Sequence, residues 1–425
     1  MIFFSNLAKI FKTKDLRKRI LFVLGVFIIF RILANIPVPG VDAARLKAFF
    51  DQFQIFGLFN VFTGGTLQNL SMTMLGLGPY ITATVVLQLL SMIFPQLERL
   101  YKEEGEAGRE KFEQYGRFLT VPLAAFQGYS MLALLQRQQV ISAMSPLFSI
   151  ASVMTIIAGT VFLMWLGELL TEKGIGNGTS LLIFAGIISR FPQNIFQTYL
   201  GVRFDPSRIL PTIAFFASSL LIILAVVVIT QAKRNIPVSY ARRVRGRKMF
   251  GGSKTQLPLN INPSGVMPII FALSLLTFPG LIATFLSGSG GILGQMAKTV
   301  VRLTENQLIY SLAYFLLVFL FTFFYTMIVF DPKTIADNLK KMGGFIPGCR
   351  PGEATAKFIS HTLNRLLPIG AFFLGIIALA PSIVGRLTGV TSFEFLVGGT
   401  SLLIMVSVVL ESYQEINAYL KMQEL

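Results

Sequence analysis

Only one cysteine and one histidine occur among the 425 residues. With Cys349 alone, no intrachain disulfide can form, and a cysteine metal cluster is argued against. His361, equally alone, argues against a histidine metal site and leaves little from which to build a nucleophile–base triad. A Gly-rich loop ending in Lys-Ser/Thr is also missing, as is His-Glu-x-x-His. No catalysis and no cofactor are therefore expected. Charge is scarce too, at 13% of residues. Within the apolar runs, Arg31 stands near an end, and Glu168 and Glu411 stand at run ends. Ion- and proton-coupled transporters keep costly paired charges at mid-membrane because function needs them. Their lack here argues for a passive conduit.

What is plentiful is apolar surface, at 53% of residues. The mean hydropathy is +0.68, which belongs to a polytopic, all-α membrane protein. A span needs about 20 apolar residues. Ten runs are read as spans, some of them shorter: residues 20–36, 72–94, 118–135, 148–170, 179–192, 209–230, 265–286, 308–330, 366–384 and 395–410. Lys9, Lys12, Lys14, Arg17, Lys18 and Arg19 precede the first run, which lacks a small-residue cleavage site. That run is read as a retained span, not a removed signal peptide. The net charge is +17, and about three in four of the 37 Lys and Arg lie on the side of the termini. By the positive-inside rule both termini are cytoplasmic. The polar stretch 193–208 leaves five spans on each side, which predicts halves at 1–200 and 201–425. Five spans entering from opposite faces would make an inverted repeat with its site between the halves.

Residues 56–90, FGLFNVFTGGTLQNLSMTMLGLGPYITATVVLQLL, do not suit a plain span. Gly64 and Gly65 break the first apolar turn, and Gly76, Gly78 and Pro79 interrupt the second. Glycine frees the backbone and proline removes a helix hydrogen bond. Irregular backbone at membrane depth is tolerated where protein or a water-filled cavity surrounds it. Two readings stand: a half-helix that dips into a cavity, or an external loop followed by a kinked helix.

Two loops stand out. Residues 240–252, YARRVRGRKMFGG, are basic with aromatics interleaved, and residues 233–254 hold no acid. Beyond a topology anchor, such a loop suits RNA phosphates or an acidic protein. Residues 340–357, KKMGGFIPGCRPGEATAK, hold Arg350 between two Pro-Gly turns, which suits an interface or a plain solvated turn. For Arg31, a cap that anchors the first span to the far surface is the plainer role.

In order along the chain, FRILANIPVPGVD (30–42), FNVFTGGTLQNLS (59–71) and LGLGPYITATVVLQLL (75–90) come first. WLGELLTEKGIGNGTSLLIFAGI (165–187) and LPLNINPSGVMPIIFA (257–272) follow. DPKTIADNLKKMGGFIPGCRPGEATAKFI (331–359) and GGTSLLI (398–404) close the set. This ordered set, spread over nearly the whole chain, closely resembles the SecY family of bacterial protein-translocation channels.

The resemblance implies ten transmembrane helices in two pseudo-symmetric five-helix halves around an hourglass pore. It implies a channel that moves unfolded secretory polypeptides across the cytoplasmic (inner) membrane and releases membrane segments into lipid. It places a plug at about residues 56–70, with Phe59, Asn60, Phe62, Gly64, Gly65 and Leu67 in it. It places a pore ring on Leu77, Ile81, Thr179, Ile183, Ile270 and Ile404, where Thr179 departs from the apolar pattern. A ring of branched apolar side chains closes like a gasket and dewets when empty. It sets a lateral gate between spans two and three and spans seven and eight, with Thr82, Gln127 and Ser274 along the seam. It gives docking for the motor ATPase SecA and for the ribosome at about 232–262 and 331–365, on Arg243, Arg247, Lys248 and Arg350. It also implies the small subunits SecE and SecG, with signal sequences, nascent chains and lipid as further contacts. Two other readings compete: a secondary transporter of a small solute with an inverted repeat, and an insertion scaffold that never passes a chain across.

Overall fold

An apolar run in hydrocarbon finds no water for its backbone, and a helix is how one segment satisfies itself. The computed structural model of the chain obeys this. It describes residues 13–38, 66–67, 70–102, 104–137, 140–141, 145–240, 243–245, 248–250, 254–286, 291–388 and 399–423. A helix stands on each of the ten expected runs. In the first part of the chain these are α1 (Lys14–Leu33), α2 (Gly78–Ile93), α4 (Gly105–Arg137), α5 (Pro146–Lys173) and α6 (Gly178–Phe204). In the second they are α7 (Ile209–Gln231), α8 (Met267–Leu286), α10 (Gln307–Val329), α12 (Glu353–Thr388) and α13 (Gly399–Gln423). Shorter helices lie between them: α3 (Pro95–Lys102), α9 (Gly291–Glu305) and α11 (Pro332–Lys341).

By length and composition, 5 helices among the described residues can cross a membrane on their own, or 6 if α2 and α3 count as one bent span. The bend is 115°. It falls at Phe94, just before Pro95, where proline pushes the preceding residue out of helical conformation. The basic first turns of α1 and its terminal Arg31 dilute its apolar character.

Several boundaries differ from the sequence expectation. The second span begins as a helix at Gly78, not at residue 72, because residues 72–77 form turns and Gly76 takes a φ of 55°. In the charged hairpin 98–117, residues 98–102 lie in α3 and residues 105–117 in the first turns of α4. The expected hinge is mostly helix: α6 runs through Pro192 to Phe204. A single 3₁₀ turn (Pro206–Arg208) then leads into α7. Hydrogen bonds from Ser207 hold the Asp205 carboxyl below its usual range.

Helix starts carry legible caps. Ser145, Asn177, Asn306 and Asp331 each accept a hydrogen bond from a backbone N–H in the first turn, and Pro146 and Pro332 follow two of them. These satisfy donors that a helix leaves open, and proline at the first position lacks that donor anyway.

In packing, α2 lies on α4, α4 on α5, and α5 on α6. In the second part, α8 lies on α10, α10 on α12, and α12 on α7 and α13. The two groups meet along two lines: α8 against α2 and α4, and α13 against α6. One hydrophobic core joins both groups.

The basic loop after α7 is not irregular. It forms β1 (Lys233–Tyr240), β2 (Arg243–Arg245), β3 (Lys248–Phe250) and β4 (Lys254–Asn260). β1 pairs antiparallel with β4, Lys233 opposite Asn260 and Ser239 opposite Lys254. β5 (Gly344–Phe345), from the later loop, pairs with the other edge of β1, Ser239 opposite Phe345. β2 and β3 form a separate antiparallel pair.

Candidate functional site

The centre of the core is built from side chains of α2, α6, α8 and α13. Leu77 caps the start of α2, and Ile81 follows one turn later on the same face. Leu77, Ile183, Ile270 and Ile404 are buried in one cluster, and Ile81 packs against it partly exposed. Five of the expected ring positions, on four helices, thus belong to the same hydrophobic core. Ile404 and Ile270 are 0% and 3% exposed. These five side chains are branched and aliphatic, and they share the cluster with aromatic ones such as Phe271, Tyr314 and Phe321.

Thr179 lies one turn before Ile183 on α6. Its hydroxyl donates to the Asn177 side chain at 2.6 Å, at the very start of α6. Its methyl lies over Gly167 of α5, 3.3 Å from where a Cβ would sit. The position that breaks the apolar pattern is used here in a helix cap and an α5–α6 contact.

On the segment leading into α2, the residues form a compact knot. Val38 N–H donates to the Leu70 carbonyl at 2.7 Å, and Met72 N–H to Ile36 at 3.0 Å. Pro37 and Ser71 form an isolated antiparallel bridge. Leu70 has a φ of 39°, a left-handed conformation disfavoured for a branched residue. Buried polar groups hold the turn: Thr66 Oγ1 donates to the Thr73 carbonyl at 2.9 Å, and Ser71 Oγ lies 3.1 Å from Thr73 Oγ1. Leu67 and Leu70, both 0% exposed, enter a second cluster with Met131, Leu132 and Leu135 of α4 and Ile156 of α5. The absent side chain of Gly159 lets α5 approach the Met72 carbonyl; a Cβ there would overlap it. Phe59, Asn60, Phe62, Gly64 and Gly65 lie outside the described residues. Sequence reasoning overlooked Thr66, Ser71 and Thr73; three small hydroxyl residues beside an apolar run were the available signal.

The three polar residues expected along the gate lie on the helices α2, α4 and α8, which pack together. Thr82 on α2 and Gln127 on α4 are buried, and Ser274 on α8 is half-buried. The Thr82 hydroxyl donates to Gly78 of its own helix at 2.9 Å, so its proton does not cross the seam. Behind the seam, Arg117 of α4 pairs with Glu168 of α5 at 2.8 Å, a link between helices that the sequence did not reveal.

The two basic loops, read separately from sequence, share a sheet. Ile236, Val238, Leu259, Leu339, Ile346 and Ile359 form its core, with Cys349 packed partly against it. Gly344 lies under Tyr240; a Cβ there would come within 3.0 Å of the ring. Arg243 lies on β2 and Lys248 on β3, and Arg247 lies outside the described residues. Arg350 is exposed, between Gly348 and Gly352 at φ of 87° and 101°. Its carbonyl accepts from Thr355 Oγ1 at 2.9 Å, which fixes the backbone from which the guanidinium projects. No group of acidic, histidine or cysteine side chains suited to a metal occurs among the described residues.

The SecY family model matches residues 71–413. A relative from Streptomyces galbus, called protein translocase subunit SecY, is 40% identical over 97% of this chain and 97% of its own. One from Corynebacterium glutamicum with the same name is 41% identical over 98% of each chain. Among solved structures, one described as a protein-conducting channel aligns with a TM-score of 0.67 at 19% identity, over 93% of this chain and 91% of that one. A second aligns at 0.66 and 18% identity over the same shares; it concerns the plug domain of the SecY protein, the closed state and a membrane seal. A third, Sec61 in a canine ribosome–channel complex from the endoplasmic reticulum, aligns at 0.63 and 18% identity, again over 93% and 91%.

Proposed function

The chain belongs to the SecY family, and from that membership we propose that it is a protein-conducting channel of a multi-pass membrane translocase. It passes unfolded secretory polypeptides across the membrane and lets apolar segments out sideways into lipid. The observation that carries this reading is that Leu77, Ile81, Ile183, Ile270 and Ile404, from helices of both groups, belong to the one hydrophobic core that joins those groups.

The chemistry follows from what these side chains lack. Branched aliphatic groups hold no water or ion, so a narrow ring of them dewets and blocks ions while empty. They offer a passing chain no hydrogen bond, so the chain slides without being held. The segment 56–70 closes the outer side as a plug, supported by the way its later residues pack on α4 and α5.

The division at 1–200 and 201–425 is supported by the two contact lines between the helix groups. On this reading α6 against α13 is the hinge, and α8 against α2 and α4 is the gate. Because the Thr82 proton stays within α2, the gate closes mainly by apolar packing. Hydrogen bonds between membrane helices average about 0.6 kcal/mol in any case. A signal helix that offers its own apolar face to α2 and α8 can therefore replace what opening removes.

The cytoplasmic face is the side of the sheet β4–β1–β5 and of both termini, supported by the basic excess there. The membrane is the inner membrane. The sheet and Arg350 receive the ribosome and SecA; basic strands suit RNA phosphates and an exposed, fixed Arg suits a protein carboxylate. SecE and SecG complete the assembly. Force comes from those partners, since this chain belongs to a channel family and not to a catalytic one. A coupled small-solute transporter finds no support in the family match, which is to protein translocase subunits.

The test is photo-crosslinking from position 270 to a stalled secretory chain, in membranes supplied with SecA and ATP. A crosslink that requires a functional signal sequence is expected. If positions 81, 270 and 404 all stay silent while translocation is shown to be running, this pore is not the path.

A further inference from the structure

Helix α9 (Gly291–Glu305) has three distinct faces. Gly294 and Ala297 are buried where the helix packs on α8 and α10. Met296, Val300 and Leu303 form an apolar row at helical spacing that points away from that contact, 63%, 36% and 46% exposed. Lys298 and Arg302, one turn apart and both exposed, lie on the side turned from the apolar row.

Two further observations say what covers the row. The helix α10 that follows has 23 residues. At about 1.5 Å per residue it matches a hydrocarbon core of about 30 Å. Only Asn306 separates it from α9. Asn306 is extended, with φ −74° and ψ 104°, and its side chain accepts from Leu308 and Ile309 N–H. The break between the two helices therefore falls at the membrane boundary. From that point Leu308, Leu312, Leu316 and Leu320 run down α10 at four-residue spacing, each more than half exposed. This is a ridge that faces lipid, and it begins where the exposed row of α9 ends.

We propose that α9 lies flat in the membrane surface on the face opposite the basic sheet. Met296, Val300 and Leu303 enter the boundary of the acyl chains, and Lys298 and Arg302 reach anionic headgroup phosphates. A helix with one apolar and one basic face settles in this way, and the strength depends on both terms. The long stems of Lys and Arg let the charges rise to the headgroups while the helix stays low. The surface recognised is thus an anionic bilayer. Because α9 packs on α8, the lipid holds one end of the gate helix.

The experiment uses the full chain in proteoliposomes. Cys349→Ser is combined with Met296→Cys, and in a second variant with Leu303→Cys, each labelled with an environment-sensitive fluorophore. Vesicles of phosphatidylcholine with or without phosphatidylglycerol carry nitroxide on the upper acyl chain, and iodide serves as the aqueous quencher. Strong lipid quenching and weak iodide quenching at both positions are expected. Lys298→Glu with Arg302→Glu should lower the lipid quenching by about twofold or more in the anionic vesicles and leave the neutral ones unchanged. Free access to iodide at either position overturns the proposal. So does protection from iodide without lipid quenching, since a second copy or another protein would then cover the row. Equal effects of the charge reversal in both vesicle types overturn the headgroup contact.

Discussion

At the residue scale, Thr179 and Gly159 make opposite predictions. The Thr179 hydroxyl is committed to Asn177, so Thr179→Val removes one hydrogen bond and keeps the methyl on Gly167. A net loss of about 1 kcal/mol at the helix start is expected. Ion leak through closed channels in planar bilayers should stay as it was, whereas Ile404→Ser should raise it. A tighter seal in Thr179→Val would show that Thr179 belongs to the ring. Gly159→Leu should disturb the seal as well as the fold. It forces a side chain against the Met72 carbonyl and displaces the turn that seats Leu70. Overpacking of this kind costs about 1–3 kcal/mol. The expected signs are a lower Tm in detergent and a higher closed-state leak; wild-type values of both would show that the turn tolerates displacement.

At the scale of elements, the sheet explains why the two proposed docking loops belong together. β5 supplies only two residues, yet through them the loop carrying Arg350 is fixed to β1. Gly344→Val puts a branched side chain under Tyr240 and should loosen that edge. Binding of ribosomes and SecA-driven translocation should both fall. Arg350→Glu, which leaves the sheet intact, should reduce only the SecA-driven step. Parallel measurements of ribosome binding and SecA-driven translocation separate the two. Equal loss of both in Arg350→Glu would mean that Arg350 serves the sheet and not a partner.

These strands were also the least legible part of the sequence. Pro237 and Pro258 both lie in paired strands and break the usual signature. Pro237 is tolerated because β5 pairs with β1 only at Ser239 and Tyr240, so that edge is open at the proline. The apolar runs, by contrast, were legible because hydrocarbon permits one backbone solution to a single segment. Their ends were less so: α6 continues through Pro192, and α12 starts far ahead of its apolar run, where turns of helix outside lipid carry charge.

For the whole molecule, the arrangement of contacts decides what can move. Of the two lines where the helix groups meet, one is the proposed gate and one the proposed hinge. A reversible chemical tether between Cys introduced at Thr82 and Ser274 should stop translocation and release it on reduction. A tether between α6 and α13 should leave it running. Block by both would mean that the halves part on both sides. The site itself was only half readable from sequence. Five aliphatic positions of the proposed ring rest on resemblance, since each looks like ordinary packing alone. The role of Thr179 as a cap partner, and the hydroxyl turn at Thr66, Ser71 and Thr73, depend on contacts between segments that no local pattern announces.

The bridge at Pro37 and Ser71 also bears on how quickly such a channel recovers. The chain leaves this knot at Val38 and is back in it by Thr66, with both ends bonded to each other and seated on α4 and α5. Whatever the stretch between them does during transport, it departs from and returns to a fixed point. Return is then a first-order event with an effective local concentration of about millimolar. Resealing is set by this one chain, and dilution in the membrane does not slow it.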